Sequence, residues 1–277
     1  MLNILIYPIA EIAVIGILSG IVGVLALLRS RIFFAESISH ATFPGAVVGV
    51  VIAAMILSKA GSKDQAVLSF WLFVGAAVMC ILLTVIMHWL AKIPELSSQA
   101  SAGIVLTFGF ALGYFLNKWC SPLPLNIESF LTGSLMHVNL ADVAAALVVL
   151  VFVLAVLLAF GKKLIFYSFD EDGFAASGQS CAFAEMLILT MVVATIVVMI
   201  PAVGTILSIA LLAAPAACMK SFVGSVGSFF VAAPIVGVLI GLVGLAAAVS
   251  FNLSPGGTVA VCAGVFYFAA LFLGRKR

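Results

Sequence analysis

Apolar stretches long enough to cross a bilayer recur along this chain, with only short polar segments between them. A run of about 18 or more apolar residues is a candidate transmembrane helix, because a helix pairs its own backbone groups where no water can. Such runs stand at about 8–28, 38–58, 66–90, 101–117, 139–161, 181–200, 203–218, 226–250 and 258–274. The sixth and seventh share a break at Pro201. That pair reads either as two spans or as one span plus a half-helix, giving eight or nine. Composition agrees: 65% of the 277 residues are hydrophobic and 8% are charged, against about 45–50% and about 25% in soluble domains. So little polar surface cannot cover a globule in water, so the expected fold is all-α, a polytopic transmembrane helical bundle.

The longest polar segments are "KIPELSSQAS" (92–101), "NKWCSPLPLNIESF" (117–130) and "SFDEDGFAASGQS" (168–180). None holds a soluble domain, so residues 1–277 are expected to form one membrane domain. The start, "MLNILIYPIAE", lacks a basic region and a small-residue cleavage site, and reads as the approach to a first span. Arg29, Arg31, Lys92, Lys162, Lys163, Lys220, Arg275, Lys276 and Arg277 fall on one side of a nine-span topology, and Lys59, Lys63 and Lys118 on the other. Basic loops stay in the cytoplasm, so the N-terminus is expected outside and the C-terminus inside a bacterial cytoplasmic membrane.

Several function classes drop out. A net charge of +2 with no basic patch gives no reason to expect nucleic acid. Cys80, Cys120, Cys181, Cys218 and Cys262 are scattered without a C-x-x-C pair, against a disulfide framework or a thiolate metal site. Neither a phosphate-binding G-x-x-x-x-G-K-[ST] nor an H-E-x-x-H is present, so a nucleotide-driven activity would need a separate ATPase chain. The chain reads as a transport protein, not an enzyme, with no bound cofactor.

"FFAESISHATFPG" (33–45) puts Glu36 and His40 at i and i+4, on one helix face if the segment is helical. Intramembrane ionisable groups are costly, and a carboxylate with an imidazole suits a divalent transition metal. The same pair also reads as ordinary interfacial residues near the end of a loop. Pro44 and Gly45 suggest a broken helix, the kind that lines transporter sites. Glu11, His88, His137, Asp142 and Glu185 read as interfacial, capping or loop-facing groups. An ion-coupled secondary transporter would need a relay of buried acids, for which only Glu36 and Glu11 stand out.

With these residues in view, "LLRSRIFFAESISHATFPGAVVGV" (27–50) resembles the first signature of the membrane permeases of the ABC transporter metal-import family, the ABC-3 type: an arginine-bearing loop, two aromatics, an acid, histidine, then a Pro-Gly turn. The acid here is Glu36, where the family usually has Asp. Further similar blocks follow in order: "ASAGIVLTFGFALGYFL" (100–116), "FLTGSLMHVNLAD" (130–142), "FDEDGFAASG" (169–178), "AVGTILSIALLAAPAAC" (202–218) and "SFNLSPGGTVAV" (250–261).

The resemblance implies a permease homodimer, two copies of a cytoplasmic ATP-binding subunit, and an extracytoplasmic metal-binding protein that delivers the ion. It implies that Glu36 and His40 hold the transported metal. Manganese (Mn2+) comes first, from the Pro-Gly turn after the histidine, and zinc (Zn2+) or iron next. A permease for iron chelates or a corrinoid is the related alternative with a wider path. Residues 168–180, with Asp170, Glu171, Gly173, Ala175 and Gly178, are implied to form a short coupling helix that docks on the ATPase, with Gly173 and Gly178 allowing tight turns.

Overall fold

A computed structural model of the chain describes residues 2–60, 65–90, 93, 96–123, 133 and 135–274. Lys63, Lys92, Arg275, Lys276 and Arg277, used in the charge argument, lie outside them, as do residues 124–130 of the 117–130 loop. Among the described residues ten α-helices run in order: α1 (Leu2–Leu28), α2 (Ile32–Ala41), α3 (Phe43–Ala60), α4 (Gln65–Leu90), α5 (Ser98–Trp119), α6 (Leu140–Phe169), α7 (Glu171–Ala176), α8 (Cys181–Met219), α9 (Val226–Phe251) and α10 (Pro255–Gly274). A 3-10 turn at Leu135–His137 precedes α6. No strand occurs among the described residues. Among the described residues eight helical segments are long and apolar enough to cross a membrane, and a shorter one spans Val203–Met219.

Short polar residues set the helix starts. Ser97, Asn139, Asp170, Ser180 and Ser225 each accept a backbone N–H in the first turn of the helix that follows. This satisfies amides that have no partner within the helix.

The chain divides into two compact units. Unit 2, Phe33–Leu131, packs α3 against α4 through glycines: a side chain on Gly75 would meet the Gly45 carbonyl, and one on Gly49 the Trp71 carbonyl. In lipid, contacts of this kind associate helices, since apolar burial against hydrocarbon gains little.

Unit 1 comprises Met1–Ile32 and Thr132–Arg277. Its core runs through Ile12, Ile15, Met199, Val203, Leu211, Ile240 and Leu245. Helix α1 serves as a ruler. Gly16 abuts the Val238 backbone, with a Cβ there 2.7 Å from its nitrogen, and Gly20 abuts Pro234. Val24 packs with Phe229, so α9 runs antiparallel to α1. Gly274, closing α10, lies beside Ser221, at the end of unit 1 that carries Arg29.

The 39 residues of α8 would reach about 58 Å as one helix, far beyond a hydrocarbon layer of about 30 Å. Gly204 resolves this with φ 77° and ψ 169°, outside the helical region. Glu185, early in α8, pairs with Arg29. Late in α8, Leu212 lies against Gly23 and Ala216 packs with Val24. The helix therefore reverses at Gly204 and returns to the Arg29 end. The break expected at Pro201 falls three residues later, at the residue whose backbone tolerates that conformation. Gly133, itself at φ 73°, fits against the Val203–Gly204 backbone.

Candidate functional site

The second span begins at Ile32 rather than near residue 38, so Glu36 lies within α2 and not at a loop end. Ala35, Ser37, Ile38, Ser39 and Ala41 are buried, while Glu36 and His40 are only partly so. The two donors thus lie one turn apart on the helix face that the rest of α2 leaves least covered. Helix α5 builds the wall beside them. Gly109 leaves room for Ala41, with a Cβ there only 2.8 Å from its Cα, and Gly113 leaves room for the Phe43 ring. Phe110 then meets the His40 ring edge-on, with centroids 6.0 Å apart.

Thr42 separates α2 from α3, yet Thr42 N–H still donates to the Ile38 carbonyl at 3.0 Å. The helix direction therefore carries through as one span, Ile32–Ser58. Pro44 has no N–H, so it cannot serve the His40 carbonyl as a helical residue four positions on would. The hydroxyls nearby are engaged locally: Ser37 donates to the Phe33 carbonyl at 2.8 Å and Thr42 to the Ser39 carbonyl at 2.7 Å. No group of three His, Cys, Asp or Glu residues able to hold an ion forms among the described residues. Glu36 and His40 stand as a pair, one carboxylate and one imidazole.

The segment 168–180 forms the short helix α7. Asp170 closes α6 and opens α7, its Oδ1 accepting from the Gly173 N–H at 2.8 Å. Gly173 is not a turn residue, as the sequence suggested. It is needed because a side chain there would strike the Asp170 carboxylate. Gly178 does turn the chain, at φ 76°, with its N–H donating to the Ala175 carbonyl at 3.0 Å. Phe174 is buried against Phe166 and Tyr167, and Asp172, Ala175 and Gly178 are exposed.

Arg29 and Arg31, which carried only topology in the sequence, join Glu171, Tyr167 and Glu185 in a charge cluster behind α7. Arg29 Nη2 meets Glu171 Oε2 at 2.8 Å and donates to the Tyr167 hydroxyl at 2.8 Å, with the guanidinium 4.1 Å from the ring centroid. The Tyr167 hydroxyl donates to Glu185 Oε2 at 3.0 Å, and Arg31 Nη2 lies 2.6 Å from Glu185 Oε1. Burial alone would lower the Arg29 pKa. The Glu171 hydrogen bond and the neighbouring carboxylates outweigh it, so the pKa is raised and the guanidinium stays charged. The position of Glu185 beside the 168–180 loop was legible in the sequence, but its arginine and tyrosine partners were not. Glu11 is fully buried in α1, with neither carboxylate oxygen hydrogen-bonded. Asp142 caps α6 reciprocally with Asn139.

The ABC 3 transport family model matches residues 1–274, through both units. The chain belongs to the ABC 3 transport family. It is 28% identical over 268 residues to the zinc transport system membrane protein TroC of Treponema pallidum, covering 95% of this chain and 86% of that one. It is 25% identical over 264 residues to the manganese import system permease protein ScaB of Streptococcus gordonii, covering 95% and 89%. Among solved structures, PsaBC from Streptococcus pneumoniae in complex with Fab superposes with a TM-score of 0.81 at 25% identity, covering 96% of this chain and 90% of that one. This ABC 3 chain is a multi-pass, all-helical membrane protein.

Proposed function

We propose that this chain is the membrane permease of an ATP-driven importer for a divalent transition metal ion, with manganese first and zinc or iron next. The observation that carries the reading is the Glu36–His40 pair, two metal donors one turn apart inside an apolar span. Relatives whose names state manganese or zinc transport support the choice of ion. One copy offers one carboxylate and one imidazole. A homodimer about a two-fold axis would supply two of each, a set that suits tetrahedral zinc, or manganese completed by water.

In this reading two ATP-binding subunits dock on α7 from the cytoplasm, through Asp170, Glu171, Gly173, Ala175 and Gly178. An extracytoplasmic solute-binding protein delivers the ion. The Arg29 end of unit 1 then faces the cytoplasm, the N-terminus lies outside and the C-terminus inside, in keeping with the basic residues of that end. ATP binding and hydrolysis in the partner switch the side to which Glu36 and His40 open, and the ion sheds water to them and is released inside.

The test is uptake of radioactive manganese and zinc in cells expressing the complete transporter with His40→Ala or Glu36→Gln. Uptake of the transported ion falls by about tenfold or more, as expected when a half-site loses one of its two donors. Normal uptake at normal membrane levels of both variants would show that the ion is held elsewhere.

A further inference from the structure

We propose that Arg29 is the positioning residue that ties the coupling helix α7 to the turn leading into α2. Resting on the transport reading above, this assigns the charge cluster to the transmission of the ATPase stroke.

The cluster joins four elements of unit 1: the end of α1, the end of α6, α7 and the start of α8. Its charges balance, two arginines against Glu171 and Glu185. The side chains of Arg29, Arg31 and Glu185 are 14%, 24% and 10% exposed, so their desolvation is substantial and their net gift to stability small. Such a cluster is better suited to fixing one arrangement than to adding stability. The α1–α2 turn is itself held in an uncommon shape. Ser30 stands at φ 54°, a region that a residue with a Cβ seldom enters, and the Arg31 N–H closes back on the Ala26 carbonyl at 2.7 Å. This turn sends Arg29 and Arg31 to partners on the same cluster. One residue after Arg31, α2 begins, the helix that carries Glu36 and His40.

Among the described residues Glu171 is the only charged residue of α7 recorded in an ion pair, and that pair is with Arg29. A displacement of α7 therefore reaches the base of α2 through Arg29 as well as through the chain. Tyr167 makes the arrangement cooperative. Its hydroxyl accepts from Arg29 and donates to Glu185, so loss of either carboxylate also weakens the hold on the guanidinium.

The experiment uses the complete transporter, purified with its ATPase and reconstituted in liposomes. Manganese or zinc uptake and ATP hydrolysis are read in the same vesicles for wild type, Glu171→Gln, Arg29→Ala and the exchange Arg29→Glu with Glu171→Arg. Glu171 is half-exposed, so its variant leaves folding intact. The expected result for Arg29→Ala is normal ATPase co-purification, ATP hydrolysis near the wild-type rate, and uptake per ATP lowered roughly five- to tenfold, the size of a typical coupling between sites; Glu171→Gln, whose site also lies on the docking surface, lowers uptake per ATP of the bound ATPase to the same degree. The exchange recovers uptake per ATP relative to Arg29→Ala. Wild-type uptake per ATP in Glu171→Gln overturns the proposal, as does an exchange no better than the single variants. Hydrolysis without uptake of either metal in the wild type would refute the transport reading instead, so the two failures are distinguishable.

Discussion

Gly173 and Gly178 show how one residue type serves two purposes within a single short helix. At Gly178 the need is conformational: the backbone is left-handed, and a Cβ there would meet nothing within 4 Å. Gly178→Ala then costs roughly 1–2 kcal/mol locally. Gly178→Pro also deletes the N–H given to Ala175 and forbids the native φ, so it should detach α7 from its seat. At Gly173 the need is space, and Gly173→Ala should displace the Asp170 cap at a cost of about 0.5–2 kcal/mol. Both the alanine and proline changes are expected to lower uptake per ATP while leaving membrane levels near normal, with Gly178→Pro the more severe. Full coupling in Gly178→Pro would mean that α7 does not carry the stroke. The sequence marked both glycines for turns and was right about one. A close approach to a carboxylate three residues upstream leaves no mark in spacing alone.

At the scale of elements, the glycine contacts between α3 and α4 allow a clean comparison. Gly75→Leu forces a side chain into the Gly45 carbonyl, an overpacking that costs typically about 1–3 kcal/mol in a tight interface. Gly103→Leu in α5 enters open space and serves as the control. Thermal melting in detergent should fall for the first and stay unchanged for the second, and equal melting would refute the packing described for unit 2. The spans themselves were legible because lipid leaves a helix few alternatives. Their boundaries were less so: α2 begins six residues before the apolar run suggested, since Arg31 and Glu36 lowered the local hydrophobicity without ending the helix. The break in α8 was visible as Pro201, but the residue that turns is Gly204, because reversal needs a backbone conformation that proline cannot take.

At the scale of the whole molecule, the reversal at Gly204 decides which ends share a side. Ser177→Cys and Ser221→Cys, each in a background lacking the native cysteines, should react with an impermeant maleimide from the cytoplasmic face, and Asn252→Cys from the outer face. Ser177 and Ser221 reacting from opposite faces would contradict the reversal. The sequence yielded the family and the pairing of Glu36 with His40 one turn apart on a helix, because acid, histidine and Pro-Gly lie within ten residues of one another. The charge cluster stayed hidden, because Arg29 stands 142 positions from Glu171 and further still from Glu185, and only folding brings them together. One feature of α6 bears on how such a molecule would move. Its 30 residues make a rod of about 45 Å, longer than the hydrocarbon it crosses. Asp170 joins it to α7 with no intervening linker, and Phe166 and Tyr167 clasp Phe174 across the joint. A hinge without slack turns rotation at one end into travel at the other: tilting such an arm by about 5° swings its far tip by about 4 Å. A small twist delivered outside the bilayer would thus reappear, undiminished, on its opposite face.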